Sequence, residues 1–116
     1  TQENARQVRA KMVVEAANSP ITTIADAILN EREIIVVPDI FANAGGVTVS
    51  YFEWVQNIQA MTWDEDRVNT QLEQIMVRTY NEVTAVMKKN HVPMRTAAFM
   101  ISIRRVADTE KMRGGF

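Results

Sequence analysis

Cysteine is absent from the 116 residues, and histidine occurs once, at His91. Without a thiol there is no disulfide framework, no thiolate metal site and no cysteine nucleophile, and one imidazole builds no metal cluster. An excess of positive charge is also missing: 13 Lys and Arg against 14 Asp and Glu leave a formal net charge of −1. Nucleic acids and anionic membranes ask for a basic footprint, so neither is expected as a partner. No apolar run reaches the ~20 residues of a membrane span. The opening TQENARQVRAK is polar and charged, unlike a signal peptide. Together these exclusions point to a cytoplasmic location. Glycine is scarce as well, with four residues in two pairs, Gly45-Gly46 and Gly114-Gly115. A G-x-G-x-x-G loop of the kind that cradles a pyrophosphate therefore has no counterpart in this chain.

What is present is a 47% hydrophobic composition, enough for one domain with a modest core. Met12–Val14 and Ile34–Val37 are short, mostly β-branched apolar runs without alternation. Parallel strands covered by helices on both faces look like this. Between them Asn18, Ser19 and Pro20 break the chain, and Thr22 or Thr23 caps a helix through IADAILNER with Ile24, Ile28 and Leu29 on one face. Strand, helix, strand is a βαβ unit. A short helix over Glu3–Ala10 is expected before it. The expected fold class is α/β: the second half of a Rossmann-like, doubly wound parallel sheet, followed by long C-terminal α-helices. Two strands alone are marginal, and the apolar residues exceed what so thin a sheet buries. The chain therefore reads as a segment of a longer protein, which a start at Thr1 rather than methionine suits.

Three helices are expected after residue 43. In the first, Val47, Tyr51, Trp54, Val55, Ile58 and Met61 form one stripe, which assigns Tyr51 and Trp54 to core packing rather than to stacking on a ligand. The second opens on Thr62-Trp63-Asp64-Glu65, the pattern of a capping box. It carries acids at its start and Lys88 and Lys89 at its end, as the helix dipole favours. Val68, Leu72, Ile75, Met76, Val83, Val86 and Met87 are its apolar stripe, and Asn90, His91 and Pro93 stop it. The third runs from Met94 to about Lys111 and ends in Arg113-Gly114-Gly115. Apolar residues on several of its sides (Ala97, Ala98 and Ile101, but also Phe99, Ile103 and Val106) call for neighbours all round. Methionines serve as core filler. Lys11, Lys88, Lys89, Lys111 and His91 belong on the surface. Glu15, at a strand end, is expected to be solvated or capping, with contact to a ligand as the alternative. Arg104 and Arg105 either salt-bridge across an interface or sit solvated on their helix.

The pair Gly45-Gly46 stands where a helix begins, although glycine disfavours helix interiors by about 1 kcal/mol relative to alanine. With Asn43 as N-cap, both glycines fall in the first turn, whose N–H groups have no partner inside the helix. Removing side chains there opens those donors to a ligand, just beyond the end of a parallel strand where open α/β sheets bind them. Val47 and Ser50 share a face one turn on, ~4.5 Å apart along the axis, with a hydroxyl able to meet a carboxylate. The alternative is that the glycines only permit close helix–strand packing.

PDIFANAGGVTVSYFEW closely resembles the PD-x-x-x-NAGGV-x-VSYFEW segment of glutamate dehydrogenases. VVEAANSPIT followed by Ala25-Asp26 is similar to their VVEGAN-GPTT..AD, and RTAAFMISIRRVA to their C-terminal helix. The related leucine, valine and phenylalanine dehydrogenases share the NAGGV but not the VSYFEW. The resemblance spans nearly the whole chain in order. It implies the C-terminal part of such an enzyme: residues 1–61 as the C-terminal half of the dinucleotide-binding domain, 62–116 as helices packing back on the rest. It implies reversible oxidative deamination of L-glutamate to 2-oxoglutarate and ammonia with NAD or NADP, in a homo-oligomer, usually a hexamer. It assigns Asn43 to the nicotinamide carboxamide, Ala17 and Asn18 to the nicotinamide ribose, and Val47 and Ser50 to the glutamate side chain. Two departures stand beside these: Ala16 and Ser19 replace family glycines. The family's catalytic lysine and aspartate, its phosphate loop and the residue that selects NAD or NADP have no counterparts here, so no catalytic residue is expected in this segment. The other reading is a free-standing, non-catalytic nucleotide-binding or oligomerisation module derived from the family. The isolated chain is accordingly expected to consume no reduced nicotinamide when supplied with 2-oxoglutarate and ammonium; measurable turnover would place catalytic groups within it.

Overall fold

The computed structural model describes residues 1–114. Gly115, expected to help end the last helix, lies outside the described residues. After a single 3-10 turn at Ala5–Gln7 the elements are β1 (Met12–Val14), α1 (Thr23–Glu31), β2 (Ile35–Val37), α2 (Asp39–Ala42), α3 (Ala44–Gln59), α4 (Glu65–Asn90) and α5 (Met94–Met112). The strands pair in parallel, with Met12 opposite Ile35, Val13 opposite Val36 and Val14 opposite Val37. The architecture is α/β, a small two-stranded sheet with helices, and the β1–α1–β2 unit is present as expected.

The helix expected over Glu3–Ala10 is reduced to the 3-10 turn. Arg32 explains this: its guanidinium donates to the carbonyls of Ala5 at 2.6 Å and Val8 at 2.7 Å. Those acceptors are satisfied by a side chain from the end of α1 rather than by another turn of helix. Ala5 then packs in the first core cluster with Ala25, Ile28 and Leu29 of α1 and with Ile34 and Val36. Thr22 is the cap of α1, its hydroxyl accepting from the Ala25 amide at 3.3 Å. Ile24, expected on the buried face, is exposed instead.

Cover on both faces of the sheet is not what the structure has. Side chains alternate along a strand, so Val13 and Val36 share the face that α1 covers, while Met12, Val14, Ile35 and Val37 share the other. On that second face Val37 packs against the α4–α5 cluster, but Met12, Val14 and Ile35 are exposed.

α4 starts two residues later than a capping box at Thr62 requires. Asp64 is the cap, accepting from the Arg67 amide at 2.8 Å. Thr62 and Trp63 belong to the preceding turn, which the Trp63 amide closes by donating to Gln56 Oε1 at 2.6 Å. At the far end His91 is exposed and takes a left-handed conformation (φ 53°), which stops α4. Val83 of α4 and Met94, Ala97 and Ala98 of α5 form the second core cluster. Phe99, Ile103 and Val106 on the remaining sides of α5 are exposed, so the neighbours they call for are not among the described residues.

The stripe of α3 is the largest departure. Val47, Tyr51, Trp54, Ile58 and Met61 are exposed, and the buried residue of this helix is Phe52. α3 rests on α4 by another face, where the Phe52 ring lies 5.5 Å from that of Trp63. Tyr51 and Trp54 stack on each other, centroids 5.7 Å apart, instead of entering a core. Contiguous exposed apolar surface of this kind marks a contact site. The isolated chain is therefore expected to self-associate and to bind dyes that report apolar surface. A sedimentation coefficient independent of concentration, together with no dye binding, would contradict this exposure.

Candidate functional site

Both strands end at the same edge of the sheet. Beyond β1 the chain runs through Glu15, Ala16, Ala17, Asn18 and Ser19; beyond β2 it runs through Pro38 into α2 and then to Asn43. What holds these two segments in register is a cluster of charges. Glu15, read from sequence as solvated or capping, is not solvated: its side chain is 0% exposed. Its Oε2 accepts from the Asp39 amide, the first of α2, at 2.8 Å, so the capping part of that reading holds. The same oxygen pairs with the Arg95 guanidinium at 2.7 Å. Arg95 projects from the first turn of α5 and reaches two further carboxylates, Asp26 of α1 at 3.3 Å and Asp39 of α2 at 3.2 Å. Burial costs charged groups heavily unless they are paired and hydrogen-bonded, and four elements converge here to meet most of that demand, Glu15 Oε1 being buried without a hydrogen-bond partner among the described residues.

Asp39 is held below the ordinary aspartate value, first by the Ser19 amide that donates to it, against the opposing effect of burial, and then by the Ile40 amide and the Arg95 charge. Burial of Arg95 works to lower its value, but hydrogen bonds to Glu15 and Asp26 and the charges of those groups outweigh it and leave the value raised. The guanidinium is thus a fixed cation.

The structure brings Asn18 and Asn43 together: the Asn43 side-chain amide donates to Asn18 Oδ1 at 2.6 Å. Asn43 is therefore not the side-chain cap of α3 that the sequence suggested; it makes no capping hydrogen bond. The reason is α2, a short helix not anticipated, for which Asn43 is the C-cap. With α2 running directly into α3, the Asn43 side chain turns across to Asn18, and the amides of the first turn of α3 carry no side-chain cap. Ala17, next to Asn18, is exposed. Val47 and Ser50 lie further along α3, both exposed, and no hydrogen bond among the described residues joins Ser50 to the asparagine pair; its hydroxyl donates to the Gly46 carbonyl at 3.2 Å.

Among the described residues, close packing does not require the glycine pair. A Cβ at Gly46 would meet nothing within 4 Å, and one at Gly45 would make only an ordinary contact with Leu72 Cδ1 at 3.9 Å. The two departures from the family glycines also separate. Ser19 has φ 46°, the left-handed region that favours glycine, whereas Ala16 is not among the positive-φ residues. The backbone a glycine would permit is kept at Ser19, with its amide fastened to Asp39 Oδ2 at 2.7 Å.

Arg95, Asp26 and Asp39 were not singled out from the sequence. Arg95 opens the RTAAF segment and Asp39 lies in the PDIF segment, but no spacing rule connects Arg95 to aspartates 56 and 69 positions away. Arg105, left open between interface and solvent, pairs with Glu82 of α4, and Arg104 lies 3.7 Å from Asp108 on its own helix.

Residues 1–114 match the profile of the Glutamate/Leucine/Phenylalanine/Valine dehydrogenase family. The chain belongs to this family. It is 56% identical over 111 residues to the glutamate dehydrogenase of Thermotoga maritima, covering 96% of the chain and 27% of that protein. It is 48% identical over 114 residues to the cryptic catabolic NAD-specific glutamate dehydrogenase GudB of Bacillus subtilis, covering 98% of the chain and 27% of that relative. The structure superposes over its whole length on 28% of a chain of the hetero-hexameric glutamate dehydrogenase of Thermus thermophilus (Leu bound form), with a TM-score of 0.95 and 30% identity. The chain thus spans a little over a quarter of the length of the relatives it matches.

The charge cluster has a direct consequence for stability. Asp39 contributes stability that is present above the ordinary aspartate value of 3.8 and is lost as the pH falls through its lower folded value. Replacing Arg95 by Leu strands a buried Glu15 carboxylate and is expected to cost about 3 kcal/mol at neutral pH, the low end for a broken buried pair because the arginine is partly exposed. Urea unfolding at pH 7 and across the acid range measures both.

Proposed function

We propose that this chain is one part of an NAD- or NADP-dependent glutamate dehydrogenase, which interconverts L-glutamate with 2-oxoglutarate and ammonia. In this reading residues 1–61 complete the second half of a Rossmann-like nucleotide-binding domain, residues 62–116 pack back on the rest of the enzyme, and the whole assembles as a homo-oligomer, a hexamer. The observation that carries the reading is the open flank of Gly46 beside the uncapped first turn of α3. A helix-disfavouring residue whose flank meets nothing among the described residues, in a first turn without a side-chain cap, supports a ligand's close approach.

The residues present fit the cofactor. After donating to Asn18, the Asn43 carboxamide keeps an oxygen acceptor and one N–H, and Asn18 keeps both of its N–H groups. That set matches the donor and acceptor of a nicotinamide carboxamide and the hydroxyls of its ribose, with Ala17 offering no bulk alongside. The cofactor itself supplies the hydride chemistry when bound. Val47 contributes an apolar wall to the glutamate side-chain pocket, and the Ser50 hydroxyl swings from the Gly46 carbonyl to donate to the γ-carboxylate. The chain's part is to hold the reactants in place and exclude water. The exposed Met12, Val14 and Ile35 on one face of the sheet favour this reading over a free-standing module, because further strands and helices would bury them.

Two substitutions in the full-length enzyme test the assignment. Ser50→Ala is expected to raise KM for glutamate and 2-oxoglutarate roughly tenfold, the loss of one hydrogen bond to a charged group, with a much smaller effect on cofactor KM. Gly46→Ala is expected to stabilise the fold by about 0.5 kcal/mol while raising the cofactor or substrate KM. Equal effects of Ser50→Ala on both ligands remove it from the substrate pocket, and unchanged kinetics for Gly46→Ala remove the ligand role of the glycine.

A further inference from the structure

Four hydrogen-bonding positions of Asp39 are engaged, and together they span the asparagine pair. Its Oδ2 accepts from the amide of Ser19, the residue after Asn18, at 2.7 Å. Its backbone carbonyl accepts from the amide of Asn43 at 3.1 Å. Its own amide donates to Glu15 Oε2 at 2.8 Å, and its Oδ1 accepts from Arg95 at 3.2 Å. One residue thus holds the backbone on both sides of the 2.6 Å Asn18–Asn43 hydrogen bond, and is itself clamped by the buried Glu15 and the fixed cation.

We infer that Asp39, held by Arg95, is a positioning residue for cofactor binding: it sets the distance between the Asn18 and Asn43 side chains and thereby the affinity for the nicotinamide end of the cofactor. The inference rests on the proposed role of those asparagines. A purely structural ion pair would need no link to the asparagines, yet the Asp39 carboxylate is bonded next to Asn18, while the turn of α2 that Asp39 opens carries Asn43 through an ordinary backbone hydrogen bond. Ser19 gives the arrangement its tension. Its left-handed backbone (φ 46°) is unfavourable for a residue with a side chain, and the bond to Asp39 is what holds its amide there. Without that bond the Ser19 backbone is free to relax, and Asn18 moves with it.

The test uses Asp39→Asn, a neutral variant of the same shape that leaves the Arg95 pairs with Glu15 and Asp26 in place. In the full-length enzyme the dissociation constant for reduced cofactor, followed by its fluorescence, is expected to rise at least about tenfold, in line with the cost of a misplaced binding group. KM for 2-oxoglutarate is expected to change far less. In the cofactor-free protein the Asn43 side-chain amide resonances are expected to shift and their hydrogen exchange to accelerate. Ser19→Gly, placed in the Asp39→Asn background, is expected to recover part of the affinity by relieving the backbone. Unchanged cofactor affinity and unchanged Asn43 resonances in folded Asp39→Asn would overturn the inference and leave Asp39 a stability residue. Asn43→Ala serves as the control for the underlying reading: weakened cofactor binding there with no effect of Asp39→Asn defeats only the positioning role, whereas no effect of Asn43→Ala defeats the cofactor site and the inference with it.

Discussion

A guanidinium shared among three carboxylates is the contact on which this small fold turns. Arg95 meets Glu15 from the end of β1, Asp26 from α1 and Asp39 from α2. Hydrophobic burial joins these elements only through β2, whose Val36 lies in one apolar cluster and whose Val37 packs against the other. One cluster gathers around α1 and the sheet, the other around α4 and α5. Asp26 follows Ala25 of the first cluster, and Arg95 follows Met94 of the second. The charge cluster is thus a joint between two cores. A buried ion pair is weak evidence of net stability, since desolvation offsets much of the attraction. What it does supply is direction: few other side-chain arrangements satisfy a guanidinium from three elements at once, so the elements lock at one mutual setting.

That setting decides where the polar groups at the sheet edge fall. Two loops of unrelated sequence, one after each strand, are brought to within a hydrogen bond of each other through Asn18 and Asn43. The segment after β1 has no regular structure to hold it, and the one after β2 is the short helix α2; the anchoring between them comes from Glu15 and Asp39 beneath. Ser19 shows how far the anchoring reaches. It keeps a backbone conformation that costs roughly 1–2 kcal/mol for a residue with a Cβ, and the bond from its amide to Asp39 offsets part of that cost.

The other constant of the molecule is its uncovered apolar surface. Exposed apolar residues on α3, on α5 and on one face of the sheet do not scatter singly but run along whole faces. The chain covers a little over a quarter of the relatives it matches, and the surface these residues would pack against is not among the described residues. The sequence pattern placed those residues on common faces and held more of them than this chain could bury, as the structure shows; it erred in assigning the stripe of α3 to a core. Periodicity reports which residues share a face; it does not report what lies opposite. The same limit explains Tyr51 and Trp54, whose helical spacing argued for a core and whose rings instead lie against each other in the open.

Local rules carried the strands, the three long helices, the Thr22 cap and the stop at His91, because each depends on residues within a few positions of one another. The family, too, was readable from short contiguous segments. Tertiary structure alone decided the rest. It assigned Asn43 to Asn18 rather than to the cap of α3, buried Glu15, and gathered Asp26, Asp39 and Arg95 around it. Those residues are 11 to 80 positions apart, and the free energy that selects their pairing arises only when folding removes water from all of them at once.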